Sequence, residues 1–444
     1  MLRSAAILAA LVGAPSAARP QPPAKEPAGV LFKNVRVFDG KSDKLSAPTA
    51  VLVQGHLIKK IGADLTAPDG ATVIDGRGRT LMPGLIDAHV HLAMASLPVL
   101  SLLTADTGYI HLRAGKEAER TLMRGFTTVR DCSGPVFGLK RAIDEGHNAG
   151  PRIYPSGAMI SQTAGHGDYR MPYEVPKRTQ LTRAEELGAG AVADGVPAVS
   201  KSVREQLLLG ATQVKLAAGG GVSSLYDPLD VSQFTDEELR AAVKVADDWG
   251  TYVMVHAYTV KSIRRAVEAG VKCIEHGHLM DEDTAKLLAD KGVWLSTQPF
   301  LDDEDAGPMP KDPARRKKQI AVYEGTDISY RLARKHKLKL AWGTDALFDE
   351  TASGKQGKHL AKMVRWFEPH EVLRMATSTN AQLLALSGER NPYPGKLGVV
   401  EEGALADLLL VDGDPLADIK LVADPEKNFL VIMKDGKVYK NTAK

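Results

Sequence analysis

The chain has 444 residues, enough for one barrel-sized domain of about 250 residues or more plus a smaller one. Lysine and arginine together number 57 against 54 aspartates and glutamates, a formal net charge of +3. So even a balance supplies no single-sign field of the kind that nucleic acid or an anionic membrane selects, and both are excluded as partners of the mature protein.

In chain order, residues 1–18 read as a signal peptide: Arg3, the apolar run Ala5 to Val12, and then Ser16-Ala17-Ala18, a small-x-small cleavage pattern. The run is far shorter than the ~20 apolar residues that span a bilayer, so it is not a lasting anchor. The expectation is an exported protein, periplasmic or extracellular, with residues 19–29 as a proline-rich linker.

Residues 30–82 alternate apolar and polar positions, as in Val35-Arg36-Val37 and Val51-Leu52-Val53, between turns at Asp39-Gly40, Gln54-Gly55 and Asp75-Gly76. Short strands with glycine turns predict a small β domain. The same texture returns in residues 393–444, at Gly403 to Val411 and Phe429 to Tyr439, so the two ends are expected to form one composite β-sandwich.

Between them, residues 83–392 repeat a short β-rich run followed by an amphipathic helical stretch, the signature of parallel βαβ units. Eight such runs lie near Leu85–His91, Thr127–Asp131, Arg152–Gly157, Gln213–Ala217, Tyr252–Ala257, Cys273–His276, Val293–Thr297 and Leu338–Asp345. The fold class that follows is α/β: a (β/α)8 TIM-like barrel with its active site at the C-terminal ends of the strands. The two cysteines, Cys132 and Cys273, fall at strands on opposite sides of that barrel and are expected as free buried thiols.

Chemistry-bearing residues gather at the predicted strand ends. His89 and His91 are two apart, a spacing that points both imidazoles to one face of a strand. His256 and His276 end the fifth and sixth runs, and neutral imidazole at such places suits zinc and related ions. Asp345 closes the eighth run, where a carboxylate can ligate a metal and take a proton; Gly343-Thr344-Asp345 equally allows a helix N-cap. Lys215 sits on an apolar strand, where an unpaired ammonium is costly. Carbon dioxide can convert its amine to an anionic carbamate; a salt bridge to Asp345 or a snorkelling stem are the plainer readings.

With these pieces in order, the chain resembles the amidohydrolase superfamily and, within it, the metal-dependent dipeptidase branch that includes Xaa-Pro and Xaa-Lys/Arg dipeptidases and ochratoxin-hydrolysing amidohydrolases. The resemblance rests on Met82-Pro83-Gly84-Leu85-Ile86-Asp87-Ala88-His89-Val90-His91, Gly125-Phe126-Thr127-Thr128-Val129-Arg130-Asp131, Thr163-Ala164-Gly165-His166-Gly167, Val214-Lys215, His256-Ala257-Tyr258-Thr259, Ile274-Glu275-His276-Gly277 and Gly343-Thr344-Asp345. Ala164 is a departure, since relatives usually carry glycine there. The resemblance implies two divalent metal ions, zinc before others: His89, His91 and Asp345 hold one, His256 and His276 the other, and carboxylated Lys215 bridges them. It gives Asp345 the role of proton shuttle, and His166 and Tyr258 that of meeting the free carboxylate of a small-molecule or dipeptide substrate. It also suggests a homo-oligomer, with an octamer as the assembly.

The function expected is cleavage of the amide bond to a C-terminal amino acid in dipeptides or N-acyl amino acids, ochratoxin A included. A single-metal deaminase or cyclic-amide hydrolase is the rival within the superfamily, although such relatives place an acid shortly after the fifth-strand histidine, where this chain has Ala257-Tyr258-Thr259. A non-catalytic barrel scaffold is the rival outside it. Three long stretches, Met159 to Pro197, Gly221 to Phe234 and Phe300 to Lys318, read as lids or specificity loops. The acidic run Asp302-Asp303-Glu304-Asp305 in the last of them reads as a solvated surface or a selector of basic substrates.

Overall fold

In the computed structural model of the chain the described residues are 29–175, 181–224, 226–306 and 309–443. The expected signal segment 1–18, and all of the expected linker 19–29 but Gly29, lie outside them. Among the described residues no helix is long and apolar enough to cross a membrane.

Alternation does at the chain ends what the sequence predicts. Phe32, Val35, Val37, Val51, Val53 and Ile58 turn inward and share one core with Leu408, Leu410, Val431 and Met433 from the other end. Burying each such side chain contributes about 1.5–3 kcal/mol, and this ties the termini to each other. The strands run in the spatial order Lys437–Asn441, Phe429–Lys434, Leu408–Val411, Thr80–Pro83, Val30–Val37, Thr49–Gln54 and Leu57–Gly62, with Thr72–Asp75 also pairing to Val30–Val37. The join between the two ends is antiparallel, with Leu409 opposite Met82.

The central region holds the eight expected strands as two parallel arcs. Leu85–Val90, Phe126–Asp131 and Arg152–Pro155 make the first. Val214–Ala217, Val253–Thr259, Cys273–Leu279, Trp294–Thr297 and Lys339–Trp342 make the second. Helices separate them; Asp236–Asp248, for instance, starts at Thr235 in a capping box with Glu238 and buries Leu239, Ala242, Val245 and Ala246.

Where the arcs meet, single hydrogen bonds replace a regular ladder. On one side Thr212 N donates to Pro155 O at 2.8 Å and the Gln213 amide to Tyr154 O at 2.8 Å. On the other, Asp345 N donates to His89 O at 2.9 Å, and the Asn380 amide reaches Ile86 O and Trp342 O, each at 2.8 Å. Gly343 makes this second seam possible, because a Cβ there would stand 2.6 Å from His89 N.

The described residues of the stretch Met159 to Pro197 include regular elements as well as loop. Met159–Ser161 and Gly190–Val192 pair in parallel and extend the edge of the second arc, with the short helix Arg183–Leu187 between them. Strands of three residues are too short to show a period, which is why the sequence hides them. Both cysteines are free and buried, as expected. Their side chains converge, however: Cys273 Sγ lies 3.0 Å from Glu275 Oε1, and Cys132 Sγ within 4.8 Å of a Glu275 oxygen. Inward-pointing residues of facing strands share a layer of the barrel interior.

Candidate metal centre

His89 and His91 leave the first barrel strand on one face, their ring centres 5.2 Å apart. Asp345 Oδ1 stands 3.4 Å from His89 Nε2 and 3.1 Å from His91 Nε2, and its Oδ2 3.9 Å from His276 Nδ1. Ligand atoms of His89, His91 and Asp345 all lie within 4.8 Å of one another. His276 brings its ring centre to 5.1 Å from that of His89 and 4.5 Å from that of His256. Four histidines from three strands and one carboxylate thus converge on a small volume.

Asp345 is not a helix cap: the next helix, Glu350–Ser353, is capped by Asp349. Asp345 and His276 instead stand at φ 51° and 77°, a left-handed backbone that costs a non-glycine residue about 1–2 kcal/mol. The surrounding hydrogen bonds hold it. Asp87 accepts from Thr344 N at 3.1 Å and Thr344 Oγ1 at 2.6 Å, which fixes the turn that presents Asp345.

Each of the four histidines has one ring nitrogen tied to an oxygen. His89 Nδ1 meets Glu275 Oε2 at 2.7 Å, His91 Nδ1 meets Ser133 O at 3.0 Å, His256 Nε2 meets Gly220 O at 3.1 Å, and His276 Nδ1 meets Gln298 Oε1 at 2.8 Å. In His89, His256 and His276 the nitrogen facing that oxygen carries the proton, so the other offers a lone pair, the arrangement found behind metal-ligating imidazoles; Nε2 of His91 instead faces Asp345 Oδ1 at 3.1 Å. Burial disfavours the charged form of all four rings; at His91 the hydrogen-bonded Asp345 carboxylate outweighs it and raises the ring above its usual value, whereas burial keeps the other three neutral. Burial lowers His89 to about 4, with help from the Lys215 charge, and takes His256 and His276 well below the usual imidazole range. Burial alone would raise Asp345, yet His89, His91 and Lys215 outweigh it and hold the carboxylate at about 2. Neutral imidazoles beside an ionised carboxylate are a donor set that fits divalent metal ions.

Lys215 is 2 % exposed and makes no hydrogen bond or ion pair among the described residues. The expected alternative, a bridge to Asp345, does not form; the ion partners of Asp345 are the histidines. A buried ammonium without an acid partner is costly, and Lys215 is such a group among the described residues.

His166 is buried, not a solvent-facing loop residue. Its ring stacks on His256 at 4.0 Å, and Nδ1 lies 2.9 Å from Ser224 Oγ. Tyr258 stacks on His276 at 4.9 Å. All the residues singled out in the sequence, His89, His91, His166, Lys215, His256, Tyr258, His276 and Asp345, line one cavity of about 460 Å3, the size of a small-molecule site. Ala164, two residues before His166, stands at φ 59°, which is why glycine suits that place better.

Sequence reasoning missed the layer behind these groups. Arg130 donates to Glu275 Oε1 at 2.8 Å and Oε2 at 2.9 Å, to Tyr252 Oη at 3.1 Å and to Ala88 O at 2.6 Å. Glu275 therefore belongs to an ion pair that orients His89, and its proximity to Cys132 does not make a second metal site. Two charged residues, Arg130 and Glu275, inside apolar strands were the available signal. The acidic run also resolves: Asp303 accepts from Lys362 at 2.7 Å, and Asp305 lies 3.2 Å from Lys362 and 3.4 Å from Lys355. Those carboxylates are neutralised within the chain rather than offered to a basic substrate.

Residues 80–439 match the amidohydrolase family. The chain is 30% identical over 413 residues to a protein described as ochratoxinase from Aspergillus niger, covering 88% of this chain and 82% of the relative. Among solved structures it is similar to a prolidase complexed with N-methylphosphonate-L-proline, at 33% identity and TM-score 0.84 over 94% of this chain and 100% of that one. It is also similar to a Xaa-Pro dipeptidase with methionine bound in the active site, at 30% identity and TM-score 0.80 over 93% and 100%. A barrel with its small β domain, a cavity of imidazoles and a carboxylate at the strand ends, and these likenesses converge: the chain belongs to the amidohydrolase family, in its dipeptidase-like branch, and is a hydrolase of amide or peptide bonds.

Proposed function

We propose that the protein is a binuclear enzyme that cleaves the amide bond to a C-terminal amino acid in dipeptides or N-acyl amino acids, ochratoxin-like amides among them. The observation that carries this reading is the set of four buried histidines, each with one nitrogen tied back, around an ionised Asp345 and an unpaired Lys215. In it His89, His91 and Asp345 would hold one ion and His256 and His276 the other, with Lys215, carboxylated by carbon dioxide, as a further anionic ligand. Zinc is the proposed metal, since the donors are nitrogen and oxygen.

Bound divalent ions supply Lewis acidity, activating water and polarising the scissile carbonyl. The chain's own residues do the rest. Asp345, held ionised in the cavity, accepts the proton of the attacking water and delivers it to the amine nitrogen, which leaves poorly unless protonated. His166 and Tyr258, which both line the cavity, meet the substrate's terminal carboxylate, the imidazole as a donor and the phenol through its hydroxyl. The related ochratoxinase and Xaa-Pro dipeptidase support a substrate of that class. A homo-oligomer, with an octamer as the assembly, is part of the same proposal, to be read by light scattering.

The test is metal content per chain together with kcat/KM over a panel of dipeptides and N-acyl amino acids. Two equivalents of metal and turnover of the panel support the reading. One equivalent, with turnover only of cyclic amides or amino-heterocycles, overturns it.

A further inference from the structure

We propose that Arg315 is a further substrate-binding residue, which pairs with the free α-carboxylate of the C-terminal amino acid beside His166; this rests on the function proposed above.

Three cationic side chains line the cavity: Lys215, Lys362 and Arg315. Lys362 is engaged by Asp303 and Asp305, and Lys215 lies among the histidines. Among the described residues the guanidinium of Arg315 makes no hydrogen bond or ion pair, and its Nε is buried with no partner there. The nearest acid in sequence, Asp312, is turned to the backbone, where it caps the helix Pro313–Lys335 by accepting from Arg315 N at 2.8 Å. A donor fork left open toward a substrate cavity asks for an anion that the chain does not provide.

The helix fixes where that fork points. Arg315, Gln319, Val322 and Tyr323 all line the cavity, and their i, i+4, i+7, i+8 spacing is one helical face. One turn along, Lys318 Nζ donates to the carbonyl oxygens of Gly221 at 3.1 Å and Asp227 at 2.5 Å. That clasped loop is the one that holds His166: Ser224 Oγ bonds its Nδ1, and Gly221 lies so close that a Cβ would stand 1.9 Å from the ring. Arg315 therefore enters the cavity on the His166 side. A planar guanidinium matches a carboxylate with two parallel hydrogen bonds, a geometry that neither an imidazole nor a phenol provides.

The experiment compares Arg315→Met and Arg315→Lys with the wild-type, metal-loaded enzyme, after metal content and near-ultraviolet circular dichroism show both variants intact. Calorimetry measures binding of L-phenylalanine, L-methionine and L-proline, each against its primary amide. For Arg315→Met the acids are expected to bind about ten- to a hundredfold more weakly and the amides within about threefold, with Arg315→Lys between. Kinetics on N-acetyl-L-phenylalanine should show the loss in KM rather than kcat. Equal losses for acids and amides, no loss, or no binding of any of the three acids to the wild type would overturn the proposal. So would a loss confined to Glu-Phe over Gln-Phe, which would move Arg315 to the acyl side. Because the binding arm needs no turnover, an inactive wild type would count against the proposed function while Arg315 is still judged.

Discussion

Glu275 Oε2 lies 2.7 Å from His89 Nδ1 while Nη2 of Arg130 holds both carboxylate oxygens of Glu275 at 2.8 and 2.9 Å. The relationship sets the tautomer of His89 from behind, and the pair is wholly buried. Glu275→Gln keeps the shape but leaves the Arg130 charge without its counter-ion. The expected outcome is a loss of about 3–5 kcal/mol in urea unfolding and about a 10–100-fold weaker hold on metal, measured by competition with a chelator. Unchanged metal retention would refute the orienting role.

Lys215→Ala, His256→Ala and Asp345→Asn are expected to abolish turnover while circular dichroism stays native, since they remove the proposed bridge, a donor and the proton shuttle. For Lys215→Ala a short-chain carboxylic acid should restore part of the rate by standing in for the carbamate. Near-normal kcat without that acid would sink the bridging role.

Replacing the substrate's terminal carboxylate by a primary amide is expected to lower kcat/KM about ten- to several hundred-fold, as charge-assisted hydrogen bonds are each worth roughly 1.5–3 kcal/mol. Tyr258→Phe should narrow the gap by weakening the acid more than the amide. Equal kcat/KM for N-acyl-phenylalanine and its amide in the wild type would show that no carboxylate site exists.

His359, partly buried on the helix Gln356–Ala361, is pushed down to about 4 by burial and by the Lys362 and Lys355 charges. A folded-state value below the unfolded 6.5 means the unfolded chain binds the proton first. Stability from this residue is therefore present above about pH 6.5 and lost as pH falls from there through about 4. His359→Gln should flatten that part of the stability curve by roughly 1–2 kcal/mol, partial solvent access keeping the figure below the full shift. Thermal melts at pH 7 and pH 4.5 read it; identical slopes for the two proteins would refute it.

The apolar run from Ala5 to Val12 followed by Ser16-Ala17-Ala18 predicts a mature chain that begins near Arg19 outside the cytoplasm. N-terminal sequencing of native material checks it, and an intact Met1 in a cytosolic fraction would overturn it.

The sequence by itself determined the eight strands and the residues at their ends, because both signals are local. A strand of apolar residues shows its period within six positions, and His89 with His91 shows its shared face within three. Tertiary structure alone decided what stands behind and around those residues. Glu275 meets His89 across 186 positions of chain, Asp87 meets Thr344 across 257, and Lys362 meets Asp303 across 59. Such pairings depend on how the two arcs close and how the loops fold back over the cavity. No window of sequence carries that information, because each partner's choice is set by the burial that the whole barrel imposes.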